Sequence, residues 1–357
     1  MINFAVGPVQ TFPEILEVAG QQVPYFRTDD FSRIMLENEK WMKELLRAPA
    51  DSRVVFLTGS GTAAMESAVM NTLSSTDKVI VVNGGSFGQR FVDLCELHQI
   101  PFDQIRLEMG RALKAEMLEP FDGKSYTAFL VNVGETSSGV LYDMDLISRF
   151  CKKNHLFLIC DCISSFLADP FHMEQYGADV VITGSQKALA CEPGISVVAL
   201  SSNALQRAEE SSNRCMYLNL KIALDNMNRG QTPFTPAVGI LLQIHERLKG
   251  IISSGGIEAE VARHAQRASY FRSRIASLPF EFVSEAPSNA VTSLRPLNGS
   301  ASEIFTVLKN EYGIWICPNG GKNKETVFRV GHLGNLTTQD YDRLLQAIQS
   351  LMERGIC

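Results

Sequence analysis

Little in this chain points to a metal, a membrane or a nucleic acid. The six histidines (His98, His155, His172, His245, His264 and His332) are scattered, with no pair at helical spacing, so no metal site is expected. Cys160-Asp161-Cys162 sets two sulfurs at strand spacing, but no His/Cys pair nearby completes a ligand set. Eight cysteines in 357 residues, several inside apolar segments, read as reduced core thiols rather than a disulfide framework. No apolar run approaches the roughly 20 residues that a bilayer helix needs. The opening Met1-Ile2-Asn3-Phe4-Ala5-Val6-Gly7-Pro8 lacks a basic region followed by an apolar stretch, so a cytoplasmic protein is expected. Acidic residues outnumber basic ones, 39 to 33, and no Lys/Arg block offsets the net charge of −6, which argues against a nucleic-acid partner.

What is present is enough apolar sequence, 45% of residues, to bury a sizeable core. From about 53 to 200, short β-branched runs alternate with amphipathic segments, the pattern of a mainly parallel sheet flanked by helices in an α/β fold. Strands are expected at 53–58, 78–82, 126–133, 156–161, 179–183 and 195–200, with helices at 62–73, 89–98, 144–154 and 203–213. Two longer helical stretches, 236–252 and 257–277, are separated by Ser253-Ser254-Gly255-Gly256. That break sets the expected boundary between a large domain, 16–254, and a smaller C-terminal α/β domain, 255–357; segment 1–15 is expected to pack near the site. The smaller unit carries expected strands at 280–283, 291–294 and 326–330 and helices at 302–312 and 338–353.

In open α/β sheets ligands gather at the carboxyl ends of strands, so the residues just after each strand are the ones to read. After the first comes Gly59-Ser60-Gly61-Thr62, opening a helix whose free N–H groups and dipole favour a phosphate. Extended to Ala64 it also fits the short dinucleotide fingerprint G-x-G-x-x-A. That reading wants an acid at the end of the next strand, where the chain instead has Asn83-Gly84-Gly85-Ser86-Phe87-Gly88. Phe87 offers a stacking ring, or else a core side chain. Asp161 ends an apolar strand, where a carboxylate needs a cationic partner such as a protonated pyridine nitrogen, or forms a local turn with Ser164 and Ser165. One βα unit later, Lys187 follows Gly184-Ser185-Gln186. An amine in apolar surroundings loses charge and becomes nucleophilic, which suits Schiff-base chemistry. A phosphate cradle, an aromatic ring, an anion and an imine-forming lysine together meet the needs of pyridoxal 5′-phosphate.

The order of the motifs points to a family. Thr58 to Glu66, Asn83-Gly84 with Phe87-Gly88-x-Arg90, Glu135-Thr136-Ser137-Ser138-Gly139, Asp161 to Ser165, Gly184 to Lys187 and Phe328-Arg329-Val330-Gly331-His332-Leu333-Gly334 resemble the class V aminotransferases, and within them the alanine–glyoxylate and serine–pyruvate branch. The resemblance implies fold type I and pyridoxal phosphate held by Ser60, Gly61, Thr62 and Gln186 at its phosphate. By the same resemblance Phe87 and Ile163 would take the two ring faces, Thr136 the ring hydroxyl, Asp161 the ring nitrogen and Lys187 the Schiff base. Arg329 would bind the substrate carboxylate, although an arginine in a strand is otherwise a structural ion pair. Thr232-Pro233-Phe234-Thr235-Pro236 resembles the segment that crosses a homodimer interface, so that Thr235 would reach the partner's site; without the family, Thr235 reads as a helix cap.

Amino transfer from alanine or serine to glyoxylate or pyruvate is the activity this resemblance implies. A 2-aminoethylphosphonate transaminase shares the motifs, and Arg27 or Arg90 would be the candidates to assist an anionic group. A lyase of the cysteine desulfurase type is the alternative of another class; it usually has histidine before the lysine, where this chain has Gln186, and its nucleophile would be Cys317 on the glycine-rich stretch Ile316 to Gly321. Three positions depart from the family pattern. Val133 stands where many relatives carry histidine, Val6 precedes Gly7-Pro8 in place of proline, and Phe26 precedes Arg27 where histidine is frequent. They bear on the substrate, not the cofactor.

Overall fold

The computed structural model describes residues 1–212 and 215–357. Seven strands form the main sheet: β1 (Arg53–Thr58), β2 (Val79–Asn83), β3 (Phe102–Arg106), β4 (Ala128–Asn132), β5 (Phe157–Asp161), β6 (Val180–Gly184) and β7 (Ile195–Leu200). Their spatial order is β1-β7-β6-β5-β4-β2-β3. All neighbours are parallel except β7, which runs antiparallel to both β1 and β6. Two reversals leave β1 pointing the same way as β6. The carboxyl ends of β1, β2, β4, β5 and β6 therefore open on one edge of the sheet.

β4, β5, β6 and β7 are buried along their whole length, as expected of strands covered by helices on both faces. The expected strands match within a few residues. β3 was not anticipated, because Phe102-Asp103-Gln104-Ile105-Arg106 has only two apolar residues, three apart, and so lacks the strand period; it lies at the sheet edge, where polar residues are tolerated. Helix Asp29–Leu46 was also missed; it starts on a Thr28 side-chain cap and packs against Val238–Ser253. The helix expected at 203–213 runs Ser202–Glu210, and the end assigned to Asn213 lies outside the described residues. No helix among the described residues is long and apolar enough to cross a membrane.

A second apolar core lies under a four-stranded antiparallel sheet of β8 (Phe280–Phe282), β9 (Val291–Pro296), β10 (Cys317–Pro318) and β11 (Phe328–Gly331), in the order β8-β9-β11-β10. Helices Ala301–Tyr312 and Thr338–Glu353 contribute Ile304, Leu308, Leu344 and Ile348 to it. The N-terminal segment completes this core. Ile2–Asn3 pairs in parallel with Ile314–Trp315, the Phe4 N–H reaches the Trp315 carbonyl at 2.7 Å, and the Gly331 N–H reaches the Phe4 carbonyl at 2.8 Å. The Phe4 ring is fully buried 5.1 Å from that of Tyr341. Beyond it the chain crosses to the main core, where Val9 and Ile15 are buried.

Phe4→Ala is expected to destabilise the protein by about 3–5 kcal/mol, the range for emptying a buried phenylalanine site. Urea unfolding measures it. A loss below about 1 kcal/mol would show that the segment adds little to this core.

Candidate active site

Lys187 lies three residues beyond β6, in a turn where the Ser185 hydroxyl donates to the Glu192 carbonyl at 2.6 Å and the Ala190 N–H to the Lys187 carbonyl at 2.8 Å. Its side chain is 9% exposed, and it forms no hydrogen bond or ion pair among the described residues. Burial lowers its pKa to about 8; Arg329 pushes the same way, while Cys317 and Asp161 oppose. The backbone of Gly7 lies directly against it: a Cβ there would stand 2.9 Å from Nζ, and φ of +151° at Gly7 also suits glycine. The Gly7 backbone thus covers part of the lysine side chain.

Asp161 ends β5, in register with Ile182 of β6, so the two loaded strand ends are neighbours. One carboxylate oxygen accepts the Ile163 N–H at 2.8 Å rather than a group of Ser164 or Ser165 as read from the sequence, the Ser164 hydroxyl going to the Gly134 carbonyl, and no donor among the described residues reaches the other oxygen. Burial, with Glu135 in support, pushes its pKa up to about 7, against the Ile163 N–H, Lys187 and Arg90. Ile163 leans over the start of the helix after β1, so that a Cβ on Gly61 would sit 2.2 Å from its Cδ1. That helix, Gly61–Thr72, begins at Ser60, whose side chain makes no capping bond, leaving its hydroxyl exposed beside the helix N-terminus. The Gln186 side chain folds back over Gly184, where a Cβ would meet Oε1 at 2.9 Å.

Phe87 is half-buried on the first turn of helix Ser86–Leu97. The acid that holds this turn is Glu135. Fully buried, it accepts N–H bonds from Gly88 at 3.0 Å and Phe87 at 3.5 Å, the Asn132 amide at 2.8 Å, and the Ser137 N–H and hydroxyl. A carboxylate here also answers the positive end of the helix dipole. Glu135 belongs to a motif noted in the sequence, but no role was assigned to it there. Its partners Phe87 and Gly88 are distant in sequence, and no local pattern joins them.

Thr136 is buried next to it, and its carbonyl accepts from Arg329 Nη1 at 3.1 Å, while Nη2 reaches the Pro318 carbonyl at 2.9 Å. Arg329 has no carboxylate partner among the described residues, and its buried Nε makes no hydrogen bond, so the ion-pair reading does not describe it. Cys317 lies opposite Arg329 in the β10–β11 pairing, on a strand rather than on a loop. No disulfide joins any of the described cysteines.

Thr235 is exposed, lines a small cavity with Thr58 and Tyr217, and is not a helix cap. The helix after it is Val238–Ser253, begun by Ala237, whose N–H bonds the Thr58 hydroxyl at 3.1 Å. Arg27 clamps the preceding loop through the Gln231 side chain, the Thr232 carbonyl at 2.6 Å and the Pro233 carbonyl. Val6 and Val133 are both 1% exposed and stand in the core, and Phe26 lies under the Arg27 guanidinium, 4.6 Å from its ring centre.

This one edge therefore brings together a depressed lysine, a raised aspartate, an open helix N-terminus, an aromatic ring and an unpaired arginine. The profile of the class-V aminotransferases matches residues 19–330. The chain belongs to that family. It is a pyridoxal-phosphate-dependent aminotransferase of fold type I. It is 30% identical over 335 residues to a protein of Anabaena cylindrica named soluble hydrogenase 42 kDa subunit, covering 91% of this chain and 85% of that one. It is 26% identical to the alanine–glyoxylate aminotransferase of Felis catus, covering 98% and 86%. Among solved structures, the aspartate aminotransferase of subgroup IV from Thermus thermophilus superposes with a TM-score of 0.92 at 26% identity, covering 99% of this chain and 100% of that one.

The residues fit the cofactor. The helix N-terminus keeps its first N–H groups for an anion, the free Asp161 oxygen suits a ring N–H, and the Lys187 amine is buried without a competing partner.

The raised pKa of Asp161 carries a testable cost. Above its ordinary value of 3.8 and below about 7, the folded cofactor-free protein holds a proton that the unfolded chain has lost, so stability falls as pH rises through that window. The slope is at most roughly 1.4 kcal/mol per pH unit. Asp161→Asn removes it. In urea titrations of cofactor-free protein, the variant is expected to gain on the natural protein between pH 5 and pH 8; a difference independent of pH would contradict the assignment.

Proposed function

We propose that this aminotransferase moves an amino group from a small α-amino acid of the alanine or serine type to glyoxylate or pyruvate. The observation that carries the reading is the meeting of Lys187, Asp161 and Arg329 at one edge: a buried amine and a buried carboxylate on neighbouring strand ends, with an arginine from the second sheet held beside them.

In this reading Ser60, Gly61, Thr62 and Gln186 hold the cofactor phosphate at the helix N-terminus, with Thr235 reaching across a homodimer to the partner's site. Phe87 and Ile163 take the two ring faces and the Thr136 hydroxyl the ring hydroxyl. Lys187 anchors the group through Nζ. When bound, pyridoxal phosphate supplies a carbonyl that condenses with amines and a ring that withdraws electrons from the substrate Cα. Asp161, ionised by a cationic partner, keeps the ring nitrogen protonated. Nζ of Lys187, freed by the incoming amine, takes the Cα proton; a pKa near 8 suits a base at neutral pH. Gly7 and the segment around it shield that amine from water.

Donor size follows from how the arginines are used. Arg27 is spent on its own loop and Arg90 is engaged by Thr62. Arg329 presents a planar fork fixed by two carbonyls, fit for one carboxylate. A second anionic group, as in aspartate, finds no comparable partner, and 2-aminoethylphosphonate has no α-carboxylate to use Arg329. Cys317, paired in a strand, lacks the mobile loop that a desulfurase nucleophile uses.

Single donors mixed with the loaded enzyme decide this. Alanine or serine is expected to convert bound pyridoxal phosphate to pyridoxamine phosphate faster than aspartate or 2-aminoethylphosphonate. Arg329→Ala should cut kcat/KM for the amino acid by about tenfold to a hundredfold, the loss of a charge-assisted hydrogen-bond pair. Lys187→Ala should abolish transfer from every donor and the cofactor attachment that borohydride makes permanent. Conversion by the aminophosphonate alone would overturn the donor assignment.

A further inference from the structure

Arg90 stands on the first turns of helix Ser86–Leu97, three residues after Phe87. Its Nη1 donates to the Thr62 hydroxyl oxygen at 3.0 Å, and its guanidinium carbon lies 5.0 Å from the centre of the Phe87 ring. It forms no ion pair with a carboxylate among the described residues. Its field lowers the pKa of Asp161. One side chain thus touches the cradle threonine and the stacking phenylalanine, and acts on the aspartate from a distance.

A hydroxyl has one proton to give and two lone pairs to accept with. Arg90 can only donate, so its bond to Thr62 occupies a lone pair and turns the hydroxyl proton away from the guanidinium. Thr62 is the second residue of helix Gly61–Thr72, beside the N-terminal N–H groups where an anion would sit. An unpaired guanidinium on the same hydroxyl adds a full positive charge to the helix dipole. Its own position is inherited from Glu135, which pins the first turn of the Arg90 helix through the Phe87 and Gly88 N–H groups.

We propose that Arg90 is a positioning residue for the phosphate of the cofactor: it aims the Thr62 hydroxyl at the phosphate and supplies the cation that makes this end of the site select a phosphorylated ligand. The proposal rests on the cofactor placement given above. It assigns Arg90 no contact with the reacting atoms.

The test uses cofactor-free protein titrated with pyridoxal phosphate and, separately, with pyridoxal, which keeps the aldehyde and ring but lacks the phosphate. Binding is followed by absorbance, and far-ultraviolet circular dichroism and thermal melting check folding. Arg90→Ala is expected to weaken pyridoxal phosphate by about tenfold to a hundredfold, the scale of a charge-assisted hydrogen bond, while pyridoxal binding changes less than about threefold. In a double-mutant cycle, Arg90→Ala placed on Thr62→Val should cost much less than in the natural protein, because the hydroxyl it orients is gone. Equal weakening of both ligands would assign Arg90 to ring packing or to general structure and overturn the proposal. Full additivity with Thr62→Val would overturn it as well. A natural protein that binds pyridoxal as tightly as pyridoxal phosphate would instead refute the phosphate cradle itself, a separate outcome.

Discussion

Desolvation at the carboxyl edge of the main sheet is the constraint on which the rest of the site depends. Four strands buried on both faces leave no water beside β5 and β6, so a carboxylate and an amine placed at their ends are both driven toward neutrality. Neither is relieved by a direct pairing with the other. The fold holds two ionisable groups at a free-energy cost, and a ligand that is cationic where it meets Asp161 and electrophilic where it meets Lys187 removes that cost on binding. Stability given up by the empty site becomes binding energy for the loaded one.

Around that pair the other elements keep distances fixed. Glu135 ties the turn after β4 to the helix after β2, so Phe87 is fixed relative to the strand that neighbours β5, which ends at Asp161. Arg329 belongs to the second sheet but is fastened to the first through the Thr136 carbonyl, and the Asn319 amide repeats the connection at the Ser137 carbonyl, 3.0 Å away. Arg329 is therefore held in part by a main-chain carbonyl of the turn that Glu135 organises. A single buried carboxylate sets the position of Phe87 and, through that turn, of Arg329.

The parts legible in the sequence are those in which chemistry coincides with local pattern. Asp161 and Lys187 follow apolar runs that can only be interior strands, and Ser60 to Thr62 precede an obvious helix. The parts that were not legible depend on partners far along the chain. Glu135 shows no local sign of the N–H groups it collects. β3 hides because three of its five residues are polar or charged, which a strand at the sheet edge tolerates. Thr235 resembled a helix cap because proline and threonine precede many helices, whereas here Ala237 begins the helix and Thr58 satisfies its N–H. Arg329 resembled a structural cation until its neighbours proved to be carbonyls rather than carboxylates.

The course of the N-terminal segment bears on when the site comes into being. Ile2 and Phe4 take their places only against Ile314, Trp315, Gly331 and Tyr341, far along the chain, and that docking carries Gly7 over Lys187. Before that docking the main sheet lacks the Gly7 backbone that packs on its lysine. Closure of this long loop is among the slowest contacts the topology demands. Shelter of the Lys187 amine therefore reports that the N-terminal segment and the second sheet have met.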